Sequence, residues 1–106
     1  MEIERIAEKK LRKFTQDVFL AIGCSNSDAE LAADVLLKAD LRGIDSHGVA
    51  RLTGYVRLWD KKRINPTPQI KIVHETPSTA TIDGDAGLGL VVAPFAMKIA
   101  LEKAEK

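Results

Sequence analysis

The chain has one cysteine, two histidines and few aromatic residues (5%), and its formal net charge is only +1 over 106 residues. A single thiol, Cys24, leaves no intrachain disulfide and no cysteine cluster for zinc, so a reducing, cytoplasmic location is expected. A near-zero charge provides no field to draw the protein to nucleic acid or to an anionic membrane surface, and neither is expected as a partner. Long apolar runs are missing as well. The longest, "GLGLVVAPFAM", falls short of the roughly 20 residues of a membrane-spanning helix and is interrupted by glycine and proline. The N-terminus, "MEIERIAEKK", is too charged for a secretory signal. No repeat, low-complexity tract or linker divides the chain, whose length suits one compact domain and not two.

What is present is an ordinary soluble balance, 45% apolar and 29% charged, arranged with clear periodicity. In "IERIAEKKLRKFTQDVFLAIG" the residues Ile6, Leu11, Phe14, Val18 and Ile22 recur at spacings near three and four, which predicts an amphipathic helix closed by Gly23. "SDAE" reads as a capping box, Ser27 with Glu30, opening a second helix with Leu31, Ala32, Val35, Leu36 and Ala39 inward and Gly43 at its end. A third helix is expected from about His47 to Lys62, with Leu52, Tyr55, Val56 and Trp59 on its buried face and Asp45 or Ser46 as its cap. "NPTP" stops it. The period then changes to two: "QIKIVHET" alternates Ile70, Ile72 and His74, "STATIDGD" alternates Ala80 and Ile82, and "TPS" between them predicts an antiparallel hairpin. "GDAGLGL" turns the chain into a last helix over residues 90–106. The predicted class is α+β: three helices, a β-hairpin and a C-terminal helix. Two strands alone make a weak sheet, so the chain is expected to be one segment, 1–106, of something larger.

One cluster invites a chemical reading. "GIDSHGVAR" places Asp45, Ser46, His47 and Arg51 within seven residues. Capping explains such a pattern plainly, with Asp45 or Ser46 closing the helix and Arg51 solvated, and on composition alone this reading leads. The chemical alternative rests on spacing. In a helix beginning near His47, residues 47 and 51 are i and i+4 and share a face. Arginine binds a carboxylate bidentately, and histidine can pass a proton in either direction. Gly48 would let a ligand approach the backbone. A small 2-hydroxy or 2-oxo acid suits this set, with Tyr55, one turn further on, as a pocket wall. Other signals read as structure. "GDAGLGL" matches neither the dinucleotide fingerprint nor the phosphate-loop pattern. His74 is a surface histidine without metal-ligating neighbours, "KKLRK" is a solvated face, Trp59 is core, and Cys24 is inert.

"DLRGIDSHGVARLTGYV" resembles the N-terminal signature of the malate/L-lactate dehydrogenase type 2 family, which includes ureidoglycolate and sulfolactate dehydrogenases and the piperideine-2-carboxylate reductases. "TATIDGDAGLGLVVAPFAMKIALEKAEK" is similar to the family's second block, so the resemblance runs over nearly the whole chain. It implies an NAD- or NADP-dependent oxidoreductase with a fold that is α/β when complete and not a Rossmann fold, and a homodimer. By the same resemblance His47 is the proton donor in 2-oxo acid reduction, Ser46 belongs to the relay that sets the histidine's hydrogen bonding, and Arg51 anchors the substrate carboxylate. The relay aspartate and most cofactor contacts would lie beyond Lys106, so the 106 residues alone are expected to be inactive. The competing expectation is a non-catalytic helical interaction module.

Overall fold

The computed structural model describes residues 4–106; the first three residues, including Ile3 at the head of the first expected helix, lie outside the described residues. Four helices and a two-stranded antiparallel hairpin follow one another in the expected order. They are α1 (Glu8–Ala21), α2 (Asn26–Leu41), two short 3₁₀ turns (Asp45–His47 and Val49–Arg51), α3 (Leu52–Asp60), β1 (Lys71–Glu75), β2 (Ala80–Asp83) and α4 (Gly89–Ala104). Among the described residues no helix is long and apolar enough to cross a membrane.

α1 buries a different stripe from the one its apolar residues suggest. Thr15 and Phe19 are fully buried and Ile22 nearly so, whereas Phe14 is 58% and Ile6 55% exposed. The inward face is 11, 15, 18, 19 and 22, and it contains a hydroxyl. Thr15 can occupy it because its Oγ1 donates to the Leu11 carbonyl at 2.7 Å, so no polar group is left unsatisfied. Gly23, at φ +107°, closes the helix with two backbone bonds, its own N–H to Leu20 O and that of Cys24 to Phe19 O. This paired pattern favours glycine because a left-handed residue is required. Cys24 is thereby tucked into the core, where burial, and secondarily Asp28, push its thiol above the ordinary range, in keeping with an inert thiol.

α2 is capped by Ser25, whose Oγ accepts from the Asp28 N–H at 3.2 Å. The expected box at Ser27 and Glu30 is two residues too late, since Ser27 is itself helical. Within this helix Ala29, Ala32, Ala33, Leu36 and Leu37 are buried. The alanines let α1 lie close along α2, and Phe19 fills the space they leave. The core they form also takes Leu52 at the head of α3 and Leu88 and Val91 at the head of α4. At the rim Arg12 bridges the two helices, reaching Asp34 at 2.8 Å and Glu8 at 3.0 Å, while Lys38 meets Asp34 at 3.0 Å.

The hairpin pairs Ile72 with Ile82 and His74 with Thr81, so Val73 is an extra, bulged residue. The bulge breaks the simple alternation expected across Ile72 and His74, and every residue of β1 is exposed. Lys103 of α4 holds the hairpin tip by donating to Thr76 O at 2.6 Å and pairing with Glu75 at 3.0 Å. In the glycine-rich turn the left-handed residues are Asp85 and Ala86, not the glycines. Gly87 is small because a Cβ there would press on Pro68.

Two outcomes follow. Phe19→Ala should destabilise the chain by about 3–5 kcal/mol, and Phe14→Ala by no more than about 0.5 kcal/mol, as read by denaturant unfolding; equal losses would reassign the buried face. Hydrogen bonds from Lys38 and Arg12 hold the Asp34 carboxyl below its usual 3.8. A depressed folded-state value stabilises the fold above 3.8, and that contribution is lost as pH falls through the folded value. Asp34→Asn should therefore melt earlier than wild type at neutral pH, with the gap closing in acid below 3.8.

Candidate active site

The polar cluster is placed by the end of α2. Gly43, at φ +76°, stops the helix with the same paired pattern as Gly23: its N–H bonds to Asp40 O and that of Ile44 to Ala39 O. The chain then makes two 3₁₀ turns instead of the expected first turns of α3. They are separated at Gly48, whose backbone leaves the helical range at φ −94°, ψ −144°. Neither Asp45 nor Ser46 caps a helix. The free amide of Val49 donates instead to Asp40 Oδ2 at 2.9 Å, from nine residues back in sequence. α3 therefore starts at Leu52, and it ends at Asp60 with Lys62 left-handed at φ +59°. Of its expected buried face, Leu52 is in the core, Tyr55 and Val56 are half-buried, and Trp59 stays 38% exposed.

Three of the sequence-predicted side chains are joined by short contacts. Ser46 Oγ lies 2.9 Å from His47 Nδ1, and Arg51 Nε donates to the Ser46 carbonyl at 2.7 Å. The second bond holds the guanidinium beside the histidine even though residues 47 and 51 do not share one α-helix. It uses only Nε, and among the described residues no carboxylate lies within ion-pairing distance of Arg51. The forked Nη pair is left available.

His47 and Arg51 both line a cavity of about 790 Å³ floored by Val35, Ala39, Leu58 and Leu90, and Tyr55 contributes to its wall. The Tyr55 ring also packs on Phe19, with centroids 6.3 Å apart, so it serves the core and the cavity together. The remaining charged lining residues are Arg57, Lys61 and Arg63, and among the described residues no aspartate or glutamate faces in. A concave surface lined by one sign of charge concentrates ligands of the other. The volume lies in the range of small-molecule and cofactor sites.

Two features depart from the sequence reading. Gly48 does not open the backbone to a ligand. It is buried, and a Cβ there would run into the Asp40 carboxylate. Asp40 itself was not among the expected site residues, because nothing in local spacing joins it to Val49.

Residues 6–106 match the family model described as malate/L-lactate dehydrogenase. The chain is similar to a malate dehydrogenase of Pyrococcus abyssi, 49% identical over 102 residues, which covers 96% of this chain and 28% of that protein. It is also similar to an L-sulfolactate dehydrogenase of Methanocaldococcus jannaschii, 47% identical over 94 residues, or 89% and 27% of the two chains. The solved sulfolactate dehydrogenase of that organism superimposes with a TM-score of 0.92 at 44% identity, over 95% of this chain and 29% of its own. The chain thus spans less than a third of the length of these relatives.

Proposed function

The chain belongs to the malate/L-lactate dehydrogenase family, and from that premise we propose that its 106 residues are one segment of a longer NAD- or NADP-dependent 2-hydroxyacid dehydrogenase, supplying the substrate side of the site. The observation that carries this reading is the shared cavity: one imidazole and one guanidinium, held by the same serine, face a space whose charged lining among the described residues is cationic. A 2-hydroxy or 2-oxo acid brings the complementary group. Its carboxylate meets the Arg51 fork, which fixes the acid and reduces the entropic cost of alignment. The oxygen on C2 then comes within reach of His47.

A bound nicotinamide would supply or accept the hydride at C2. The chain's own residues move the proton and hold the acid. In reduction His47 gives a proton to the carbonyl oxygen as it becomes a hydroxyl; in oxidation it takes that proton back. Ser46 engages Nδ1 and so leaves Nε2 for the substrate. Tyr55 walls the acid. Arg57, Lys61 and Arg63 are the residues of this chain that would hold the phosphates of a bound cofactor, in a cavity larger than a small acid needs. Cofactor specificity, further contacts and any relay carboxylate belong to the rest of the longer protein.

In the full-length protein His47→Ala should lower turnover of a 2-oxo acid by about 10²–10⁴-fold while NADH binding, followed by fluorescence, stays near wild type. Normal turnover by that variant would end the reading. Arg51→Lys keeps the charge but loses the fork, and should raise KM about tenfold or more with a smaller effect on kcat; an unchanged KM would remove Arg51 from the site. Absence of both acid and cofactor binding in the full-length protein would favour a helical interaction module instead.

A further inference from the structure

Asp40 is a carboxylate in the last turn of α2, the end at which the helix dipole disfavours an anion. Something must compensate for it. Its Oδ2 accepts the Val49 N–H at 2.9 Å and is partly buried in doing so. The space it occupies is the space a side chain at position 48 would need, since any Cβ on Gly48 would overlap the carboxylate. Gly48 has φ −94° and ψ −144°, outside the left-handed region, so a left-handed backbone is not what demands glycine here. The neighbouring carboxylate does. Position 48 is empty so that Asp40 can reach position 49.

The consequence falls on the site. Val49 lies between His47 and Arg51, and the 3₁₀ turns on either side of Gly48 carry both residues. Asp40 makes no hydrogen bond to His47; its side chain accepts from the Val49 backbone amide. We infer that Asp40 is a positioning residue which, through the Val49 amide and the vacancy at Gly48, sets the two turns that aim His47 and Arg51 into one cavity, and that it needs an acceptor oxygen and not a negative charge. This rests on the catalytic reading of His47 given above. An asparagine side chain offers the same acceptor.

The test uses the full-length dehydrogenase, assayed for 2-oxo acid reduction well below the melting temperature, with melting curves recorded in parallel. Asp40→Ala should lower kcat/KM by about 10–100-fold, the scale expected when reacting groups are displaced by an ångström or less. Asp40→Asn should stay within a few-fold of wild type. Gly48→Ala should be damaging in the wild-type background, because its methyl evicts the carboxylate, yet add little on top of Asp40→Ala, where the collision is gone. A purely structural role would lower the melting temperature and leave kcat/KM of the folded enzyme unchanged. The inference is overturned if Asp40→Asn folds normally but loses activity to the extent expected of Asp40→Ala, or if the Gly48→Ala and Asp40→Ala losses multiply. Should Asp40→Ala not fold, Asp40→Asn still decides. His47→Ala, run alongside, separates the two ideas. If it turns over normally, the catalytic reading falls and takes this one with it. If it is dead while both Asp40 variants match wild type, the positioning role alone is wrong.

Discussion

Helix α2 packs against α1, α4 and both 3₁₀ turns, and small side chains make up part of its buried face. Ala29, Ala32 and Ala33 are buried with almost no accessible surface, so α1 settles close enough for Phe19 to reach Leu36 and the heads of α3 and α4. Interiors packed to crystalline density transmit such constraints instead of absorbing them. The position of the last turn of α2 is therefore fixed by its middle. That last turn carries Asp40, and Asp40 holds the backbone from which His47 and Arg51 project.

The chemistry drawn from this arrangement is economical in parts. One serine makes both organising contacts, its hydroxyl on the imidazole and its carbonyl on the guanidinium. Because Arg51 is secured through Nε, its fork is not consumed by the fold. Because no acid among the described residues lines the cavity, the cations there are not neutralised by them. The anionic substrate and cofactor proposed above would complement such a lining, and relatives named malate dehydrogenase and L-sulfolactate dehydrogenase share this segment.

Much of the architecture was legible in the sequence, for reasons that can be located. Helical period marked α1, α2 and α3, and the glycine-rich turn marked the entry to α4; Gly23 and Gly43 marked two helix ends because only glycine takes the left-handed position cheaply; the change to period two marked the hairpin. The failures are equally specific. Phe14 was read on the core stripe in place of Phe19; the buried face instead runs through Thr15, whose hydroxyl the Leu11 carbonyl satisfies. Ser27 was preferred to Ser25 because both are competent caps. The end of α3 was obscured because Lys62 adopts a left-handed conformation that no composition rule assigns to lysine. At the site, His47 and Arg51 line one cavity, but the spacing argument that joined them assumed a continuous α-helix, which the two 3₁₀ turns replace. Asp40 was invisible because its partner is nine residues away, across a turn whose path depends on tertiary packing.

The most direct measurement is a crystal structure of the full-length protein with its nicotinamide cofactor and oxamate, an unreactive 2-oxo acid mimic. The account predicts the oxamate carboxylate on the Arg51 fork, its C2 oxygen within hydrogen-bonding distance of the His47 ring, and Asp40 still bound to the Val49 amide. Oxamate held elsewhere, with the imidazole turned away from its C2 oxygen, would contradict it.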